Sequence, residues 1–240
     1  MVLILCEEVD FAAAWAAERL RERGVEVEFV TGADLAAAGR LEHRVGADGI
    51  TFELELADGR RLSRARVHGV LNRLSFLPAA CVRRIGGPDR DYALQEYYAL
   101  YLSWLHALAG PKLNAPTPQG LCGNWRHPAS WAALAMQADL PAEPYRQSSR
   151  DDPMAVWQPG AGSAPAAAFV VGERVIAEPP VQEFNGPCRK LAAAAGATLL
   201  GIDFAPGADG HWRFIGATVL PDLVRGGPPL ADALAQVFRP

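Results

Sequence analysis

Gly201-Ile202-Asp203-Phe204, a polar turn, and then Trp212-Arg213-Phe214-Ile215-Gly216-Ala217-Thr218-Val219-Leu220-Pro221-Asp222 is the stretch that decides how this chain folds. Two short apolar runs flank a Gly- and Asp-containing turn, which predicts paired strands over residues 198–204 and 211–218. A helix follows over 229–238 and another precedes over about 185–195. Upstream, residues 167–178 predict a hairpin turning at Gly172-Glu173. The last quarter is therefore a small α+β unit that ends a strand on a carboxylate, Asp203.

Farther out, the N-terminal half has a different rhythm. Residues 2–6 form an apolar core strand, 8–23 a helix closed by Gly24, and Val25 to Val30 an alternating second strand. Thr31-Gly32-Ala33-Asp34 caps a short helix through Ala38. A strand–helix–strand opening predicts a parallel sheet. Residues 42–56 and 60–64 predict a hairpin or meander around Asp58-Gly59. Ala65 to Leu71 predict a strand ending in Asn72-Arg73, followed by a long helix over 89–109 before Gly110-Pro111. That helix is too rich in apolar and aromatic residues to stand free and must pack on the sheet. Leu113 to Pro116 form a short strand containing Asn114, and 129–138 a helix. Residues 147–166, rich in Gly, Ser, Ala and Pro, predict a linker.

Composition narrows the function. The 240 residues are 50% hydrophobic and 21% charged, with a formal net charge of −4, as in a folded soluble protein without a basic nucleic-acid footprint. No apolar run reaches the roughly 20 residues of a membrane span, and no signal peptide is evident, so a cytoplasmic location is expected. Lys112 and Lys190 are the only lysines among 23 basic residues. Cys6, Cys81, Cys122 and Cys188 lie far apart and predict buried free thiols, not a metal site. The five histidines form no ligand pair. Glu7-Glu8 at the end of the first strand either hold an amine or simply begin a helix. Tyr97, Tyr101 and Trp104 share a core-facing helix spacing, while Tyr98 falls outside it and allows a partner or homodimer face.

In order and in motif, the chain resembles the ATP-grasp ligases, near their RimK-like, peptide-modifying branch. Gly201 to Phe204 resembles the family's Gly-Ile-Asp-Phe strand, and Phe214 to Pro221 its following strand. Asn72-Arg73, Gln95-Glu96, Leu113-Asn114-Ala115-Pro116 and Ala138-Asp139-Leu140-Pro141 fall in the corresponding order. The resemblance implies an α/β fold: a pre-ATP-grasp-like open sheet at 1–116, a connecting helical element at 117–146, a linker at 147–166 in place of the ATP lid, and a reduced ATP-grasp α+β core at 167–240.

The departures are specific. The family holds Mg²⁺ against the ATP phosphates with Asp, Glu and Asn. Here Asp203 matches, but Gly216 stands at the Glu position and Thr218 at the Asn position. Mg²⁺ prefers hard oxygen ligands, which glycine lacks and a hydroxyl supplies weakly. The early lysine that contacts ATP phosphate has Arg126 as its nearest cation. Phosphoryl transfer rests on positioning and charge neutralisation. The expected reading is accordingly a truncated, degenerate ATP-grasp-like protein, a non-catalytic binding or scaffold subunit in a peptide-modifying pathway. It would have no metal site beyond a vestigial Asp203, no cofactor, and a peptide or protein partner. The alternative is a minimal ATP-dependent carboxylate–amine ligase using ATP and Mg²⁺. Candidate ligand-binding residues are Arg73, Arg126, Asp203, Asn72 and Asn114.

Overall fold

The computed structural model describes residues 1–82, 85–87, 89–143, 145, 165–207 and 209–239. Most of the expected linker, residues 147–164, lies outside the described residues. The chain divides into two compact units, one of Met1–Asn124 with Leu234–Pro240, the other of Trp125–Ala233.

In the first unit, β1 (Val2–Cys6) is wholly buried and pairs in parallel with β2 (Val27–Thr31). Between them runs α1 (Phe11–Glu22). This helix starts at Phe11, not near residue 8, because the Asp10 carboxylate accepts from the Ala13 N–H at 2.9 Å and so caps it. The short α2 (Gly32–Ala36) is capped where expected, by a Thr31/Asp34 capping box, and ends two residues before Ala38. The meander is an antiparallel three-stranded sheet of β3 (Arg40–Gly46), β4 (Gly49–Glu55) and β5 (Arg61–Ser63). The next strand, β6 (Gly69–Asn72), is shorter than the apolar run suggested. The Arg66 N–H closes a turn onto the Ser63 carbonyl at 3.1 Å and delays it. The long helix is α3 (Asp89–Ala107), followed by β7 (Lys112–Leu113). The parallel sheet has the order β2-β1-β6-β7. Its core joins Leu3, Leu5, Val30 and Val70 to Phe52 and Leu54 of the meander and to Tyr101, Trp104 and Leu105 of α3. Trp104 meets Tyr101 and Phe52 edge-on, with ring centroids 5.9 and 6.1 Å apart. Tyr97 and Tyr98 are partly buried against this same core.

The second unit begins with α4 (Pro128–Gln137), then β8 (Ala166–Val171), β9 (Arg174–Ala177), α5 (Asn185–Ala195), β10 (Leu199–Pro206) and β11 (Trp212–Thr218). The antiparallel sheet has the order β11-β10-β8-β9. Ala168, Val170, Leu200, Ile202 and Phe204 pack with Trp131 and Ala135 of α4 and Cys188 and Leu191 of α5. The last helix, α6 (Gly227–Phe238), contributes its residues from Leu234 onward to the first unit. The architecture is the expected α/β class, a parallel N-terminal sheet and a C-terminal α+β core. No helix among the described residues is long and apolar enough to cross a membrane.

Candidate functional site

Asp203 lies near the middle of β10, directly opposite Gly216 of β11. A register shift between Asp203 and Phe204 interrupts the ladder here. Two residues away, Gly201 pairs with Thr218 and approaches the next turn closely, since a Cβ on it would lie 2.6 Å from Pro221 Cβ. The Gly216 position is different. A Cβ there would meet nothing within 4 Å, so packing does not forbid a side chain. The Thr218 hydroxyl accepts from the Leu220 N–H at 3.1 Å, shaping the turn.

A cation faces Asp203. Arg225, in the helical turn Leu223–Gly226, donates from Nη1 to Asp203 Oδ1 at 3.4 Å. Its Nε and Nη2 grip the two oxygens of Glu178 at 2.8 and 3.2 Å, and Nη2 also reaches the Pro165 carbonyl. The guanidinium thus uses its planar fork on one carboxylate and its outer edge on another. Burial pushes the Asp203 carboxyl above its ordinary value; Arg225 pulls it back and the Glu178 charge raises it further. Sequence reading missed Glu178 and Arg225. One precedes a helical turn and the other lies within one, 47 residues apart, and only the topology joins them.

The remaining candidates are held by specific partners. Arg126 donates from Nη2 to the Ala195 carbonyl at 3.1 Å, at the C-terminus of α5, and its guanidinium carbon lies 5.7 Å from the centre of the Trp131 ring. A cation at a helix C-terminus is favoured by the exposed carbonyls there. In the first unit, the Asn72 amide donates to the carbonyls of Asn114 at 3.2 Å and Leu121 at 2.6 Å, so the structure brings Asn72 and Asn114 together. Arg73 pairs with Asp10 through Nε and Nη2, at 2.7 and 3.2 Å. Asn72, Arg73 and Asn114 are the buried polar residues of the described chain. Glu7 and Glu8 line a cavity of about 370 Å³ with Gly32 and Pro78, and Glu7 accepts from the Ser75 N–H at 3.2 Å.

No protein-family model and no curated protein matches the sequence. Solved structures do. The macrocyclase MdnC of Microcystis aeruginosa MRC, bound to its precursor peptide MdnA, aligns over 99% of this chain and 98% of its own, with a TM-score of 0.70 at 12% identity. The fold is that of the ATP-grasp peptide ligases. A RiPP-associated ATP-grasp ligase of Chryseobacterium gregarium, in complex with ADP and a leader and core peptide, aligns over 99% of this chain and 96% of its own (TM-score 0.69, 10% identity). The ATP-grasp ligase PsnB, complexed with a precursor variant, Mg and ADP, aligns over 98% and 97% (TM-score 0.64, 19% identity).

These complexes correct one expectation. The sequence pointed to no cofactor, yet ligases of this fold were captured with ADP, and PsnB with Mg as well. The expectation counted the side chains lost at Gly216 and Thr218 and took nucleotide binding to be lost with them. Backbone N–H groups also hold phosphate, and that contribution leaves no mark in residue identity. A metal fits the described residues less well. Among them, no group of three or more His, Cys, Asp or Glu is placed to hold one. Asp203 and Glu178 both pair with Arg225, so as arranged these carboxylates hold a guanidinium.

Proposed function

We propose that this chain acts on a peptide in an ATP-dependent carboxylate–amine ligation. The observation that carries the proposal is the alignment of nearly the whole chain with a macrocyclase solved on its precursor peptide. The ligases captured with ADP and peptide support the same reading. Asp203 stands where the sequence resemblance puts that fold's metal-ligating carboxylate.

Calorimetry with ATP and ADP, each with and without Mg²⁺, tests the reading, together with ADP release from ATP in the presence of carboxylate- and amine-bearing peptides. Dissociation constants in the micromolar range, worth about −8 kcal/mol, with peptide-stimulated ADP release are expected. No binding at millimolar nucleotide would overturn the proposal.

Gly216 opposite Asp203, and the Arg225 clasp on Asp203 and Glu178, favour a second reading, a binding subunit that presents a peptide to another enzyme. The same experiment separates the two. Nucleotide and peptide binding without ADP formation is the outcome that selects the second.

A further inference from the structure

Three large apolar side chains stand in solvent on one edge of the first unit. Val9, in the loop after β1, and Phe11, the first residue of α1, are 75 and 80% exposed, and Phe76, in the loop after β6, is 73% exposed. Two contacts lace these loops together. Asp10, between Val9 and Phe11, takes the Arg73 guanidinium, and Glu7 accepts from the N–H of Ser75, next to Phe76. The apolar side chains are thus gathered on one edge, whereas apolar residues scattered singly over a surface need no explanation. The same edge is where the parallel sheet is open to a ligand. Its order β2-β1-β6-β7 takes the chain from β1 to one side for β2 and to the other for β6, and α/β sheets bind ligands at the carboxyl ends of strands where the order reverses in this way. A cavity of about 370 Å³ lies there, lined by Glu7, Glu8 and Val9 after β1, Gly32 after β2, and Pro78 and Ala80 after β6. Glu7 and Glu8 are exposed, and among the described residues no cation pairs with either. Asp10, by contrast, has its charge met by Arg73. The edge keeps two unmatched negative charges beside an apolar surface.

We propose that this edge docks a short peptide segment in which lysine or arginine is flanked by large apolar side chains. The basic group meets Glu7 and Glu8, and the apolar ones cover Val9, Phe11 and Phe76. Charge complementarity selects the basic group, since an acidic segment would face two unmatched carboxylates. Size selects a short segment over a folded partner. The cavity is at the lower end of the volumes that hold a small ligand, and it suits one side chain used as an anchor. Three apolar residues and two acids fall short of the roughly 20–30 residues a side of a standard protein–protein interface. The inference rests on the peptide-ligation reading for the segment's place in a substrate, but its test involves no nucleotide.

The test uses the full chain without nucleotide and two fluorescein-labelled pentapeptides, Leu-Lys-Phe-Lys-Leu and Leu-Glu-Phe-Glu-Leu, with fluorescence anisotropy as the readout. The basic peptide is expected to bind at least about tenfold more tightly than the acidic one, and its affinity should fall as salt screens the carboxylates. Glu7→Gln combined with Glu8→Gln should weaken it by about tenfold. Phe76→Ser should weaken it by about threefold or more through lost apolar burial. Circular dichroism checks folding. If the double variant does not fold, Glu8→Gln alone decides the charge term, because the exposed Glu8 carboxylate has no partner among the described residues. A loss of about threefold or more is then expected. Equal affinity for the two peptides would overturn the proposal, as would basic-peptide binding that all of these variants leave unchanged. So would self-association in sedimentation that Phe76→Ser abolishes while neither peptide binds, since the edge would then belong to a second copy of the chain. Peptide-stimulated ADP release with no peptide bound at this edge would remove this inference and leave the ligase reading. Peptide binding at this edge without any nucleotide binding would do the reverse.

Discussion

Arg73 and Asp10 show what a buried charge costs when its partner is lost. The two side chains are only 6 and 12% exposed, and Asp10 also caps α1. Arg73→Met would leave the Asp10 carboxylate buried with only its cap bond, and removing one partner of a buried pair commonly costs about 3–5 kcal/mol. A loss of about 3 kcal/mol in urea unfolding is expected. Asp10→Asn, which keeps the cap oxygen, should also destabilise, because it removes the negative charge that faces Arg73. A loss below about 1 kcal/mol for Arg73→Met would show that the pair is solvated. Asn72-Arg73 was legible as a polar pair at a strand end, but its partners were not. The fold brings Asp10, 63 residues away, to Arg73. Asp203 was legible because a motif surrounds it. Arg225 and Glu178 have no such context, and pairings across 22 and 47 residues follow from strand order alone.

At the scale of elements, periodicity and turn chemistry located nearly every helix and strand, with errors where a hydrogen bond outweighed composition. Asp10 moved the start of α1, and the Ser63–Arg66 turn shortened β6. Gly110, which ends the long helix, is constrained more tightly than its turn-forming sequence implies. It has φ +75°, and a Cβ on it would lie 1.8 Å from the His68 carbonyl oxygen. Gly110→Ala must therefore move backbone that leads into β6 and β7, and a loss of about 3 kcal/mol or more, or failure to fold, is expected. Gly216→Ala is the matched control. Its Cβ meets nothing within 4 Å, so its stability should stay within about 1 kcal/mol of wild type. Urea midpoints of the two variants check both statements. Equal losses would mean that the close approach at Gly110 relaxes at little cost.

At the scale of the whole molecule, the two units have separate cores, and each keeps at least one thiol in it. Cys6, Cys122 and Cys188 are 0, 3 and 0% exposed. Burial pushes Cys6 and Cys188 up to about 12 and Cys122 up to about 11, from an ordinary 9.0. The Asp10 carboxylate adds to the rise at Cys6, and Arg73 offsets part of it. The direction sets the sign. Below pH 9 the thiols are protonated in both the folded and the unfolded chain and contribute no pH dependence. Above pH 9 the unfolded chain loses protons that the folded chain retains, so stability falls as pH rises, until the folded thiols ionise in turn at about 11 to 12. Each thiol contributes a slope of about 1.4 kcal/mol per pH unit in that window, or about 4 kcal/mol per unit for the three together. Urea unfolding at pH 7, 8, 9 and 10 should give nearly constant stability to pH 8 and a steep loss between 9 and 10. Cys188→Ala should remove about a third of that slope, and the native thiols should react slowly with a disulfide reagent at pH 8. Stability that stays flat to pH 10, or a slope unchanged in Cys188→Ala, would show that the cores admit water to these cysteines.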